Sequence, residues 1–269
     1  MQDTPGSLSR HAALAACLML IVGGSAWAQS PAPAPDTPGF FSRSEFHLSA
    51  NSLILGTEDQ RFSWDAYFGG DLDLVDYVKG RASVLVDYHP VLGSEYRPFD
   101  PNQAYYLLEA SSSYRVGGTE IAGVFHHVSR HLSDRPKQFA VAWNVLGARV
   151  MRRVERGGVT LDARLDLGAI VQHSYVDYRW TADTDVMLRH AINPTVGVFV
   201  HGSGELFGVD GSEPDRGTQT GGRFEAGLRV NGRGGAIELF AGVERRLDAD
   251  PIDRQTQHWA LAGFRLLSR

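Results

Sequence analysis

From residue 40 onward the chain never keeps the i, i+3, i+4, i+7 apolar spacing of an amphipathic helix, and no apolar run approaches 18 residues. Strict alternation recurs instead. Phe62, Trp64, Ala66 and Phe68 interleave with Ser63, Asp65, Tyr67 and Gly69, and Val159, Leu161, Ala163, Leu165 and Leu167 interleave with Thr160, Asp162, Arg164, Asp166 and Gly168. Side chains on a strand point alternately to its two faces, so these segments are strands with one apolar and one mostly polar face.

A soluble sandwich shows the same alternation in shorter strands, and the connections decide between the two. Twelve strands are predicted, at about 44–55, 61–73, 79–89, 103–115, 119–131, 138–153, 159–177, 184–192, 195–209, 221–231, 235–248 and 256–267. Every second connection is a tight turn, such as Arg115-Val116-Gly117-Gly118, Glu155-Arg156-Gly157-Gly158 or Asn193-Pro194, and most of the others are longer and polar, such as 90–102 and 210–220. An even number of long strands with short turns at one end and longer loops at the other is the pattern of a transmembrane antiparallel up-and-down β-barrel of the bacterial outer membrane. The split at Asn193-Pro194 keeps the count even.

The start of the chain agrees with that address. Arg10 and His11 precede an apolar run of 13 residues (12–24), and Ala26-Trp27-Ala28 has the small-x-small form of a cleavage site, so 1–28 is read as a secretory signal peptide. The run is too short for a membrane helix, which needs about 20 residues. Leu14-Ala15-Ala16-Cys17 has the form of a lipoprotein box, but most of the apolar core follows Cys17; removal of Cys17 with the signal leaves no thiol for disulfides, catalysis or metal binding. Residues 29–43 read as a Pro/Ala-rich linker and 44–269 as the barrel. Net charge is −5, and the 26 basic residues, 24 of them arginine, form no cluster, which excludes nucleic acid as a partner.

Two side-chain patterns refine the barrel. Trp64, Tyr88, Tyr105, Tyr106, Trp143, Tyr175, Tyr178, Trp180 and Trp259 fall near the outer strand ends, where an aromatic girdle is expected. The presumed inward faces carry Asp65, Asp87, Glu109 and a luminal charge network of Asp162, Arg164, Asp166, Arg223, Glu225, Arg229, Glu238, Glu244 and Arg246. Such charges are tolerable only when paired or wet. In a barrel of this width they predict a plugged or narrow interior.

The densest group of reactive side chains is 125–134 (FHHVSRHLSD). His127 and Ser129 share a strand face with His131, so an imidazole can act as general base toward the hydroxyl, and Asn144 on the next strand can orient His127 if the turn centres between Asp134 and Pro136. A metal site on His126, His127 and His131 would need carboxylates with no evident place, and no metal or other cofactor is expected. The His-x-Ser segment resembles outer-membrane phospholipase A and the lipid A deacylases. That resemblance implies His127 as base, Ser129 as nucleophile and Asn144 as orienting residue, although Arg130 and His131 follow the serine where those families carry Asn and Gly. The stretch 127–134 is also similar to a segment of an uncharacterised family of barrel-type envelope proteins, which implies no chemistry.

Taking Val141, Trp143 and Val145 as the lipid-facing side of their strand places Asn144, and with it His127 and Ser129, inside. The sequence reading is therefore a structural, surface-interaction or narrow-pore barrel without enzymatic activity, with a lipid acyl hydrolase using His127 and Ser129 as the alternative. Expected partners are outer-membrane lipids and lipopolysaccharide, a small solute or surface partner, and the periplasmic chaperones and barrel-insertion machinery of a Gram-negative bacterium.

Overall fold

The computed structural model describes residues 31, 33–54, 56, 58–133 and 139–268; the expected signal peptide and Cys17 lie outside the described residues. The described chain is all strand and connection: β1 (Gly39–Phe40), β2 (Ser44–Ile54), β3 (Trp64–Asp76), β4 (Arg81–Gly93), β5 (Asp100–Val116), β6 (Thr119–Leu132), β7 (Val141–Arg156), β8 (Val159–Ser174), β9 (Tyr178–Ala191), β10 (Val196–Val209), β11 (Gln219–Asn231), β12 (Gly235–Arg246) and β13 (Gln257–Ser268). From β2 to β13 each strand pairs antiparallel with its neighbour in sequence, and β13 returns to β2 with Phe264 opposite Ala50. This is the expected closed, twelve-stranded up-and-down barrel, which has no free sheet edge.

One end carries the tight turns. Gly117 (φ 57°) and Gly157 (φ 57°) supply the left-handed backbone that two-residue hairpins need. At Asn193 the side-chain oxygen accepts from the amides of Thr195 (2.9 Å) and Val196 (2.8 Å), which separates β9 from β10 at the expected place. Most boundaries lie within about four residues of expectation, and two departures are larger. β9 begins at Tyr178 rather than at about 184, and its pairing with β10 is regular from Trp180 onward, with a register shift at Gly208/Val209 opposite its first residues. Gly39 and Phe40, inside the stretch 29–43 expected as a linker, form a short strand against Asp76 and Val75 of β3.

The interior is polar in its middle and aromatic toward the long-loop end. Arg149 is bonded to Glu109 (2.6 Å) and Asp166 (2.8 Å), and Arg246 to Asp65 (2.5 Å) and Glu244 (2.7 Å). Arg265, fully buried, is bonded to Glu238 (2.5 Å) and Glu225 (2.6 Å). Above these layers Trp143, Tyr178, Phe207 and Leu247 pack together, as do Phe62, Val91, Ala249 and Trp259. Four of the nine expected girdle residues are therefore misplaced: Tyr105, Trp143, Tyr178 and Trp259 point inward, where they fill the lumen, whereas Trp64, Tyr88, Tyr106 and Trp180 remain on the outer wall and Tyr175 lies in the β8–β9 connection, stacked on Phe139. A narrowing lumen offers large rings a dry environment as good as lipid.

The connection between β12 and β13 folds into the mouth, burying Leu247, Asp248, Ala249 and Asp250. Its backbone is held from below: Arg130 donates to the carbonyls of Asp248 (2.6 Å) and Ala249 (3.1 Å), and Gln103 donates to Ala249 (2.6 Å). Arg216 binds Asp248 from above at 2.5 Å. Burial works against its charge, but the hydrogen bonds and charges of Asp248 and Asp177 more than offset that and hold its pKa above the ordinary arginine value. In a planar bilayer the wild-type protein is expected to be silent, and Arg130→Ala combined with Arg216→Ala to conduct intermittently as the loop leaves the lumen. A folded double variant that stays silent would show that these two arginines do not retain the loop.

Candidate active site

On β6 the even positions Glu120, Ala122, Val124, Arg130 and Leu132 are buried, while Ile121 (46% exposed) and Phe125 (45%) are on the outer wall. The odd face therefore carries His127, Ser129 and His131 outward. β7 has the complementary pattern, with Val141, Trp143 and Val145 buried and Leu146 and Val150 exposed, so Asn144 also faces out. The inward placement expected from sequence is wrong for all three residues, His127, Ser129 and Asn144. The apolar side of β7 looks into the aromatic cluster of the lumen rather than into lipid.

The register is the one that pairs His127 with Asn144 and Ser129 with Ala142. His127 Nδ1 lies 2.6 Å from Asn144 Oδ1, so the imidazole donates through Nδ1 and keeps Nε2 as the acceptor. Asn144 Nδ2 in turn donates to Gln172 Oε1 at 2.9 Å. Gln172 was not anticipated. It reaches the outer wall because the β7–β8 register shifts between Asn144 and Val145, leaving Val171 unpaired and turning the next side chain outward, which is how bulges re-aim residues. Nothing in local alternation marks that shift.

Ser129 Oγ lies 2.7 Å from His131 Nε2. The serine thus sits between two imidazoles on one face, bonded to one of them, with the other anchored by an amide pair. His126 points into the lumen, 3.9 Å from Glu109, so it cannot share a metal with His127 and His131; among the described residues no group of three or more metal-ligating side chains forms.

The surroundings on the outer wall are aromatic on the β5 side. Tyr106 stands directly opposite Ser129, and its ring meets that of His131 edge to face at 5.1 Å. Tyr88 follows at 4.8 Å from Tyr106, and Phe68 at 4.8 Å from Tyr88. The residues of the expected charge network, Asp162, Arg164, Asp166, Arg223, Glu225, Arg229, Glu238, Glu244 and Arg246, lie on the opposite, inner side of the wall, and line its cavities or its ion pairs. Sequence reading passed over Arg149 and Arg265, each of which joins a pair of carboxylates there.

No family model matches the chain, and no curated protein matches it. Solved structures do. The outer membrane phospholipase A of Escherichia coli superposes with a TM-score of 0.51 at 12% identity, covering 86% of this chain and 98% of that one. The fold is that of an outer-membrane β-barrel. The Salmonella typhi outer membrane phospholipase, a dimer with bound calcium, gives a TM-score of 0.50 at 13% identity, over 84% of this chain and 90% of that one. LpxR from Salmonella typhimurium gives 0.48 at 10%, over 83% and 99%. This barrel architecture hosts enzymes and non-enzymes alike, so function has to be argued from the wall itself.

Proposed function

We propose that the protein is an outer-leaflet lipid acyl hydrolase with Ser129 as nucleophile, His127 as general base and Asn144 as the residue that orients it. The observation that carries this reading is the outward direction of the His127–Asn144 pair and of Ser129. Hydroxyl, imidazole and amide groups on a membrane-facing wall are uncommon, and an enzyme attacking a membrane ester needs its nucleophile there. Height agrees with it. Ser129 is ten positions along β6 from Thr119, which at about 3.3 Å per residue and a tilt of about 40° is ~25 Å, the full height of the apolar band and hence the level of the outer ester groups.

In the reaction, the Ser129 hydroxyl oxygen adds to the ester carbonyl carbon while its proton passes to His127 Nε2. The tetrahedral adduct then expels the lipid alcohol, which takes that proton, and leaves an acyl-serine. Water, deprotonated by the same imidazole, releases the fatty acid and restores the serine. For this step the Ser129 hydroxyl has to turn from His131 toward His127 about its Cα–Cβ bond, a change of the kind that separates resting from reacting geometry.

The test is mass spectrometry of fatty acid released from phospholipid vesicles by refolded protein. His127→Ala is expected to lose about 10²- to 10⁴-fold in rate and Asn144→Ala a smaller part of that range, with His131→Ala retaining most activity. A larger loss at His131 than at His127 would transfer the role of base to His131. No release by wild type would remove the hydrolase reading and return the barrel to a structural or surface role.

A further inference from the structure

The rings of Phe68, Tyr88 and Tyr106 occupy facing positions on three successive strands, Phe68 opposite Tyr88, Tyr88 opposite Tyr106 and Tyr106 opposite Ser129. All lie on the outer wall, and their centroids are spaced 4.8 Å apart in both steps, ending in the 5.1 Å contact of Tyr106 with His131. The result is a continuous ridge about three strand spacings long, roughly 14 Å, that begins at the nucleophile and runs away from it across β5, β4 and β3. An aromatic girdle alone needs rings at one level; it does not need them in mutual contact or directed at a hydroxyl.

We propose that this ridge is the seat of one acyl chain of the substrate, and that the hydrolase therefore selects long-chain esters. The inference rests on the hydrolase reading of Ser129. A chain laid along the ridge covers ring faces on one side and leaves its carbonyl carbon beside Ser129, with the glycerol and headgroup directed toward the loops. A chain too short to reach Tyr88 gains only the contact with Tyr106. The apolar area covered, and with it the affinity for the bound ester, grows with chain length until Phe68 is reached.

The experiment uses the refolded full chain in detergent micelles with two esters of one leaving group, p-nitrophenyl palmitate and p-nitrophenyl butyrate, so that the chemistry is common and the chain length differs. Phe68→Ser and Tyr88→Ser are expected to lower kcat/KM for palmitate at least about tenfold more than for butyrate, mainly through KM, while Tyr88→Phe, which keeps the ring, retains the wild-type preference. Heat-modifiable migration in electrophoresis reports whether each variant is folded. A proportional fall for both esters, or no change in their ratio, overturns the acyl seat and leaves the hydrolase standing. Failure of the wild type to cleave either ester overturns both.

Discussion

Ser129→Ala is expected to lower fatty-acid release by more than about 10⁴-fold while leaving the barrel's melting transition unmoved. The chemical part follows from losing the only atom that can carry the acyl group; neighbouring groups cannot substitute for a missing nucleophile, so such losses are large and do not add to those of the base. The structural part follows from position. The hydroxyl faces outward, it is hydrogen-bonded to the His131 ring at 2.7 Å, and removing it opens no cavity in the lumen. Measured together, rate and heat-modifiable unfolding separate a nucleophile from a structural hydroxyl. A variant that keeps its activity would exclude acyl transfer to Ser129.

Arg265→Met is the substitution expected to affect folding most, lowering stability by about 3–5 kcal/mol, the cost usual for removing one partner from a buried ionic group. Its guanidinium is fully buried, bridges Glu238 on β12 to Glu225 on β11, and lies over the Phe240 ring at 4.7 Å. Methionine fills similar space but leaves two carboxylates with one cation fewer between them. Guanidinium titration of the protein in lipid vesicles should show a lower midpoint with an unchanged slope. Adding Glu238→Gln to Arg265→Met should recover part of the loss. An unchanged midpoint for Arg265→Met would mean that the remaining arginines, Arg223 and Arg229, already neutralise both carboxylates.

The strand count was readable because a barrel wall exposed to lipid on one side and to charge on the other imprints period two on nearly every segment. Asp65, Asp162 and Glu238 each interrupt apolar neighbours at the right parity, and the turns at Gly117 and Gly157 mark the ends. The faces of β6 and β7 were not readable. Val141, Trp143 and Val145 have the composition of a lipid face but are buried, Trp143 and Val145 against Tyr178 and Phe207 inside the mouth, so hydrophobicity stops distinguishing inside from outside where the lumen is aromatic. The pairing of His127 with Asn144 followed from register alone and did not depend on that assignment, which is why the expected cross-strand pair forms although its direction is reversed. Gln172 was out of reach, since a one-residue bulge shifts parity without changing composition.

Arg149 lies on β7, directly behind the strands that carry the site, and its two bidentate hydrogen-bond pairs, to Glu109 on β5 and Asp166 on β8, span four consecutive strands from within. A thin sheet is a compliant spring when pushed normal to its surface, and lateral pressure from lipid acts in that direction. The internal tie raises the bending stiffness of the wall below the site: Arg149 stands opposite Ala122, five positions along β7 from Asn144, and its Glu109 end stands opposite His126. In mechanical terms the barrel is a cylinder ribbed from within just beneath the level at which its surface carries the His127–Asn144 pair.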